Sequence, residues 1–329
     1  MHPSDRGGNP VPAGHPPDLE RIQATPESMI HHHWEELHGA PGDPIRAVEA
    51  VGPPSNEGHR IVYKDGVIYL DEANSRPAWV RGDILARYDA LGGPRSALGF
   101  PTSDEADFDE AGRISKFQHG NIYWWPGVGA IEFTDVVIKY SGILCFGNTD
   151  WDGGSSEDEP YVVLGTVSSQ GTTVARSRIY DGVKAIQGRS EELEIYRGAP
   201  FGVTVTALLM EHDDDDPDKY KERIHEGVTA AFGAITGAAG AATGGLGGIL
   251  VGAALTTIEP LVTNAINNAL DLKDDKLGQE TWLFTPKELI AWAATKQPTI
   301  DYGVRSNYQT PLFNGEGSSY KVCFIVERA

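Results

Sequence analysis

Hydrophobic positions follow two patterns, which change at about residue 136. Before that point, short apolar runs alternate with Gly- and Pro-rich turns, and residues 80–88 have apolar positions at helical spacing before Gly92. After it, longer stretches alternate apolar and polar residues, as half-buried strands do. We expect an α+β chain of two domains, with a module of β-hairpins and short helices in residues 29–135 and an antiparallel β-sandwich in residues 136–329. The sandwich strands are expected at 136–146, 161–167, 192–196, 203–210, 281–284 and 320–326.

A repeat with a period of 54 residues runs through the first region, as Tyr69 and Tyr123 illustrate (123 − 69 = 54). Each half also contains a hairpin dipeptide, Asp65-Gly66 or His119-Gly120. An internal repeat predicts that both halves share one architecture. The other matching pairs are Trp34/Tyr88, Leu37/Leu91, Gly39/Gly93, Gly58/Gly112, Tyr63/Phe117, Gly66/Gly120 and Ile68/Ile122.

The second half of the repeat carries a long motif, Leu98-Gly99-Phe100-Pro101-Thr102-Ser103-Asp104-Glu105, followed by Gly120-Asn121-Ile122-Tyr123-Trp124. Together with Val80-Arg81-Gly82 and Leu91-Gly92-Gly93, this stretch resembles the LGFP repeat of actinobacterial cell-surface proteins. In the first half, Asp43-Pro44-Ile45-Arg46-Ala47 occupies the place of the Leu-Gly-Phe-Pro signature. The resemblance implies attachment to the cell wall, with a wall polysaccharide as the partner.

Four aromatic residues of the repeat region are candidates for carbohydrate binding. Their rings present flat apolar faces on which sugars stack, whereas the other interpretation is that they fill the cores of the two halves. Because side chains alternate along a strand, Trp124 and Trp125 point to opposite faces, and we expect one of them to be an exposed platform. The four candidates are Trp79, Tyr123, Trp124 and Trp125.

Acidic residues gather at three strand ends of the second region, at 150–159, 211–216 and 271–275. Calcium takes about 6–8 oxygen ligands, which flexible loops supply readily, so carboxylates that converge from several loops predict calcium as a cofactor. A solvated acidic loop without a metal is the alternative interpretation.

This arrangement resembles the calcium- and phospholipid-binding β-sandwich domain of protein kinase C and synaptotagmin. Glu159 precedes Pro160-Tyr161-Val162 where that family has the Asp of Asp-Pro-Tyr-Val. The chain departs from the family by carrying Glu at two Asp positions and by a long insertion before the third acidic group. The resemblance implies the metal ligands Asp152, Glu159, Glu211, Asp213 and Asp275, with Asp150 and Asp158 as further candidates.

The insertion, residues 218–270, is predicted to be a helical hairpin rich in Gly and Ala. It has no charged residue between positions 228 and 258, which exceeds the roughly 20 residues that a helix needs to cross a bilayer. One interpretation is a hairpin that inserts into a lipid bilayer, and the other is a compact hairpin packed on the sandwich. Small residues for close helix packing recur at Gly237, Gly240, Gly244 and Gly248.

Composition narrows the partners and the location. The chain has 329 residues and a net charge of −20, which opposes binding to phosphate backbones, so we expect no nucleic acid partner. Cys145 and Cys323 lie in apolar stretches and form either one disulfide or two buried thiols. Residues 1–28 are expected to be a flexible tail without the apolar segment of a signal peptide. We expect a location at the cell surface or outside the cell, with the cytoplasm as the alternative.

Sequence motifs of catalysis do not appear: the chain has no Gly-x-Ser-x-Gly elbow and no His-Glu-x-x-His helix. We therefore expect a non-enzymatic cell-envelope-binding protein, whose repeat module targets wall polysaccharide and whose acidic loops bind calcium. One alternative is a membrane-active, toxin-like protein that inserts its Gly/Ala hairpin. Another is an envelope glycan hydrolase that uses a pair of acidic residues.

Overall fold

A computed structural model describes residues 25–147, 157–212 and 276–329, together with positions 216, 218, 221, 222, 224–230, 233, 260 and 264. Antiparallel sheets dominate these ranges, and helices lie beside them. This composition confirms the α+β class.

The two halves of the repeat form two copies of one unit, in which a helix precedes a four-stranded antiparallel sheet. In both sheets the strand order in space is the order in sequence. Copy 1 comprises α1 (Pro26–Glu36), β1 (Glu49–Val51), β2 (Gly58–Tyr63), β3 (Gly66–Asp71) and β4 (Arg76–Val80). Copy 2 comprises α2 (Gly82–Leu91), a 3₁₀ turn (Gly93–Arg95), β5 (Ala106–Phe108), β6 (Gly112–Phe117), β7 (Gly120–Trp125) and β8 (Gly129–Phe133).

Local sequence signals set the ends of both helices. The Thr25 hydroxyl accepts a hydrogen bond from the Ser28 amide, and Pro26 occupies the first helical position, where its missing N–H costs nothing. The second helix ends at Gly92, which has a φ of 108° and adopts the left-handed conformation that glycine tolerates. The predicted helix before Gly92 is thereby confirmed.

Equivalent hydrogen bonds define how the two copies correspond. The indole of Trp34 donates to the Gly42 carbonyl (2.8 Å), and the hydroxyl of Tyr88 donates to the Gly99 carbonyl (2.7 Å). Pro44 bridges to Tyr63 in copy 1, as Pro101 bridges to Phe117 in copy 2. Residues 41–44, Pro-Gly-Asp-Pro, are therefore the counterpart of Leu98-Gly99-Phe100-Pro101.

This correspondence corrects the expectation that Asp43-Pro44-Ile45-Arg46-Ala47 stands in place of the signature. The helix aromatic and the motif glycine are 8 positions apart in copy 1 and 11 positions apart in copy 2. The segment between the motif and the next long strand is three residues longer in copy 1 than in copy 2. The offset between the copies is therefore 57 at the motif (99 − 42 = 57) and 54 on either side of it. An alignment at a constant offset of 54 does not detect this difference, because the shorter loop before the motif and the longer loop after it cancel.

Phe100 joins the two copies. Its side chain is fully buried, and a Cβ placed on Gly52 or Gly58 of copy 1 would lie only 3.0 or 2.6 Å from its ring. Only glycine leaves room for the ring at these two positions. The residue of copy 1 that corresponds to Phe100 is Asp43, and it is exposed.

Two larger antiparallel sheets follow copy 2, with the orders β11-β10-β13-β14 and β12-β9-β19-β17. In addition, β18 pairs with β19, and β15 and β16 form a two-stranded sheet. All six strand positions expected in this region lie within observed strands. A helix, α3, begins at Pro286 and is preceded by a capping box, in which Thr285 and Glu288 exchange hydrogen bonds with each other's backbone amides. The elements are β9 (Val136–Gly147), β10 (Pro160–Ser168), β11 (Gly171–Arg176), β12 (Gln187–Gly198), β13 (Val203–Glu211), β14 (Lys276–Phe284), α3 (Pro286–Thr295), β15 (Thr299–Asp301), β16 (Val304–Ser306), β17 (Tyr308–Gln309), β18 (Phe313–Gly315) and β19 (Ser318–Arg328).

One hydrophobic cluster connects these two sheets with copy 2. It contains Ile138 of β9 and Val162 of β10, and it also contains Tyr123 and Trp125 of β7. The predicted domain boundary after residue 135 is therefore crossed by a continuous core.

The described part of the insertion packs on β10. Residues 221–222 and 224–230 are helical, and Ile224 and Val228 are fully buried. A Cβ placed on Gly165 would lie 2.7 Å from Val228 and 2.9 Å from Ile224. The start of the insertion thus uses a glycine of the sheet for close helix packing.

Both cysteines are free and buried. Cys145 belongs to the main cluster, whereas Cys323 packs with Leu144 and Val304 on the opposite face of the same sheet. Because side chains on opposite faces of a sheet cannot meet, the structure selects two buried thiols over a disulfide. Burial raises the pKa of Cys323 to about 12.

Candidate functional site

A cleft of about 880 Å³ lies between the two copies. We call it the inter-repeat cleft. The turn between β2 and β3 supplies one wall, the start of α2 supplies the second, and the strands of copy 2 supply the third. Its main lining residues are Lys64, Asp65, Arg81, Asp83, Glu105, Arg113 and Trp124.

Trp124 provides the aromatic surface of the inter-repeat cleft. It lies on β7, pairs with Arg113 on β6, and is half-buried. Its indole N–H donates to the Asp83 carboxylate (2.8 Å), which fixes the orientation of the ring. The predicted alternation is thereby observed, because Trp125 on the other face of the strand is fully buried.

Two arginines share one carboxylate at the base of the cleft. Glu105 Oε1 lies 3.3 Å from Arg81 Nε and 3.7 Å from Arg113 Nη1, and the Glu105 side chain is only 9% exposed. The Arg81 guanidinium also lies 4.5 Å from the centroid of the Trp79 ring. These contacts hold both guanidinium groups in place while leaving each side chain 36% exposed.

The cleft combines an aromatic face with ordered hydrogen-bonding groups. Its three cations and three carboxylates balance in charge, although the chain as a whole carries −20. Charge-assisted hydrogen bonds to hydroxyl groups and apolar contact with an indole face suit a polyhydroxylated, uncharged ligand. The sequence did not single out Asp83, Arg81, Glu105 or Arg113 as site residues, although the last three flank or lie within the LGFP-like stretch.

The other aromatic candidates occupy hydrophobic cores. Tyr123 and Trp125 are fully buried, and Trp79 is 7% exposed, with its indole N–H donating to the Asp65 carbonyl (3.2 Å). Packed on both faces, these rings have no surface left for a sugar. Trp79 also supports the cleft, because the Arg81 guanidinium lies over its ring.

Three of the predicted calcium ligands lie in the described ranges. Glu159 and Glu211 are neighbours, because the Glu159 amide donates to the Glu211 carboxylate (3.0 Å). Asp158 is instead fully buried, and its carboxylate accepts hydrogen bonds from Ser318 (2.9 Å) and Tyr320 (2.7 Å). Within the described ranges, no group of three or more His, Cys, Asp or Glu residues is arranged to hold a metal ion. The remaining candidates, Asp150, Asp152, Asp213 and Asp275, lie outside those ranges, so calcium binding stays a prediction.

The membrane-insertion alternative also depends on residues that lie outside the described part of the chain. Gly237, Gly240, Gly244 and Gly248 are outside the described positions. Among the helices that are described, none has the length and apolar character to span a bilayer.

An ion pair ties α1 to the motif beside the cleft. His33 Nε2 lies 2.9 Å from Asp104 Oδ1, which also accepts the Trp79 amide (2.7 Å). The hydrogen bond with Asp104 raises the pKa of His33 above its ordinary value, against the opposing effect of burial. Burial works to raise the pKa of Asp104, but the hydrogen bonds from His33 and Trp79 hold it below its usual range.

We expect the free energy of unfolding to fall as the pH rises through the raised pKa of His33. A group with a raised folded-state pKa contributes its full stability below its unfolded-state pKa of about 6.5 and loses it above the folded-state value. Urea titrations at a series of pH values from about 6 to 8 would measure this slope.

The variant His33→Asn should remove that component of the pH dependence, while His32→Asn, at an exposed neighbouring position, should leave it in place. Equal slopes for the wild type and His33→Asn would show that the ion pair with Asp104 does not stabilise the fold.

Comparison with known proteins bears on copy 2. A family model described as the LGFP repeat matches residues 98–140, and no curated protein matches the chain. The matched residues include Glu105, Arg113 and Trp124 of the inter-repeat cleft. The chain therefore carries an LGFP repeat, a repeat associated with cell walls, and this repeat builds one side of the cleft.

Proposed function

We propose that this protein is a non-enzymatic cell-envelope-binding protein whose inter-repeat cleft holds a neutral wall polysaccharide. The observation that carries the proposal is the position of Trp124, a half-buried indole whose orientation Asp83 fixes at the edge of an open cleft. The matched LGFP repeat supports the assignment, because it supplies this residue. The proposal places the protein at the cell surface.

The chemistry of the lining favours an uncharged ligand. Asp65, Asp83 and Glu105 would repel an anionic polymer. Lys64, Arg81 and Arg113 would repel a cationic one. Sugar hydroxyl groups both donate and accept, so they can pair with either set.

The variant Trp124→Ala is expected to raise the Kd for purified neutral wall polysaccharide at least about tenfold, which equals about 1.4 kcal/mol. The reason is the loss of the largest apolar contact in the cleft, since aromatic anchors dominate many binding sites. Isothermal titration calorimetry with the full chain would measure the change.

The matched control is Phe146→Ala, which removes a 40% exposed aromatic ring from the other region of the chain. Far-UV circular dichroism would show that both variants keep their fold. Unchanged affinity of Trp124→Ala would place the binding site elsewhere. A wild-type chain that binds no wall polysaccharide at all would refute the proposed function.

A further inference from the structure

Copy 1 has a concave surface of its own, of about 730 Å³, between the start of α1 and the segment after its motif. We call it the N-terminal groove. Residues that line it include Glu27, Ser28, His31, Ile45, Arg46 and Tyr63.

The repeat relates the N-terminal groove to the inter-repeat cleft. With the helix offset of 54, Ser28 corresponds to Gly82 and His31 to Leu85, and all four line one of the two surfaces. Val48, 57 positions before Glu105, likewise lines the groove as Glu105 lines the cleft. The two surfaces therefore lie at the same place in successive copies, although Met29, His59 and Leu70, the counterparts of Asp83, Arg113 and Trp124, do not line the groove.

The lining of the groove again joins an apolar surface to polar groups at its rim. Ile45 is 64% exposed, and the Arg46 side chain is 62% exposed and lies 3.6 Å from the Glu49 carboxylate. The ring of His31 stacks on Trp34, with centroids 5.4 Å apart and an angle of 13° between the planes. An amphipathic ligand such as a sugar chain matches this combination.

Another repeat is disfavoured as the occupant. Copy 2 joins copy 1 through the buried ring of Phe100, whereas copy 1 has the exposed Asp43 at that position. Burial of this carboxylate against a preceding sheet would remove its hydration without supplying a partner. The buried phenylalanine that joins copy 2 to copy 1 thus has no counterpart in copy 1.

We infer that the N-terminal groove is a second polysaccharide subsite, so that the two copies hold two segments of one neutral polymer. The inference rests on the proposed function of the inter-repeat cleft. Two linked sites raise the affinity for a polymer well above that of either site, while the affinity for a short oligosaccharide at each site is unchanged.

The test compares the full chain with the double variant Ile45→Thr/Arg46→Ala, in which Thr is the residue at the corresponding position 102 of copy 2. The probes are purified neutral wall polysaccharide and short oligosaccharides cut from it. The double variant should raise the Kd for the polymer at least about tenfold. It should also lower the number of oligosaccharides bound per chain from two to one.

The matched control is Ile186→Thr/Arg305→Ala, which changes an equally exposed isoleucine (65%) and an exposed arginine in the other region of the chain. It should bind like the wild type.

Each outcome is decisive. Binding of one oligosaccharide per wild-type chain, with equal polymer affinity for the groove variant, overturns the second subsite and leaves the proposed function standing. A wild-type chain that binds neither the polymer nor the oligosaccharides would refute both the second subsite and the proposed function. Removal of residues 1–24 should leave the affinity unchanged, and a tenfold gain would identify those residues as the occupant of the groove and overturn the inference.

Discussion

Replacing Phe100 by Ala is expected to lower the free energy of unfolding by about 3–5 kcal/mol. The ring is fully buried between the copies, and it fills the space that Gly52 and Gly58 leave open. Its loss removes the apolar contact and leaves a cavity that two glycines without side chains cannot fill. Urea denaturation of the full chain, followed by tryptophan fluorescence, would measure the change.

The control for this prediction is Phe146→Ala, since Phe146 is 40% exposed and its truncation should change the free energy of unfolding by no more than about 0.5 kcal/mol. If Phe100→Ala were as mild as the control, the contact between the copies would not depend on the motif phenylalanine.

Replacing Asp158 by Ala is expected to lower the free energy of unfolding by about 2–6 kcal/mol. The substitution leaves the hydroxyl groups of Ser318 and Tyr320 buried without their acceptor, and each such group costs about 1–3 kcal/mol. Because this role is structural, the loss should be the same in calcium and in a chelator. Chemical denaturation under both conditions would measure it.

Glu159→Ala, at the adjacent exposed position, is the matched control in the chelator, where it should stay within about 0.5 kcal/mol of the wild type. A loss for Asp158→Ala that occurs only in calcium would instead identify Asp158 as a metal ligand.

Local pattern predicted much of the architecture. Alternation located the six long strands, and the Gly92 stop located the end of α2, because both signals depend only on neighbouring residues. The correspondence of Gly42 with Gly99 was missed, because two compensating changes in loop length shift the motif against its surroundings. A search for Gly-x-Pro after each helix does not single it out, because Gly39-Ala40-Pro41 and Gly92-Gly93-Pro94 match the same pattern.

The candidate site was predictable only in part. Alternation required Trp124 and Trp125 to face opposite ways, but which of them is exposed depends on the sheets that follow copy 2 and cover Trp125. Arg81, Glu105 and Arg113 form a group through folding, since they come from three separate segments. Charged residues are most often solvated, and nothing in the local sequence distinguishes these three from the others.

The continuous core across residue 135 has a mechanical consequence. Only Thr134 and Asp135 separate β8 from β9, and Phe133 and Val136 on either side are both buried. No flexible linker lies between these two strands that could extend under an applied force. A force applied to β8 would therefore pass through this two-residue connection and the shared core directly into β9.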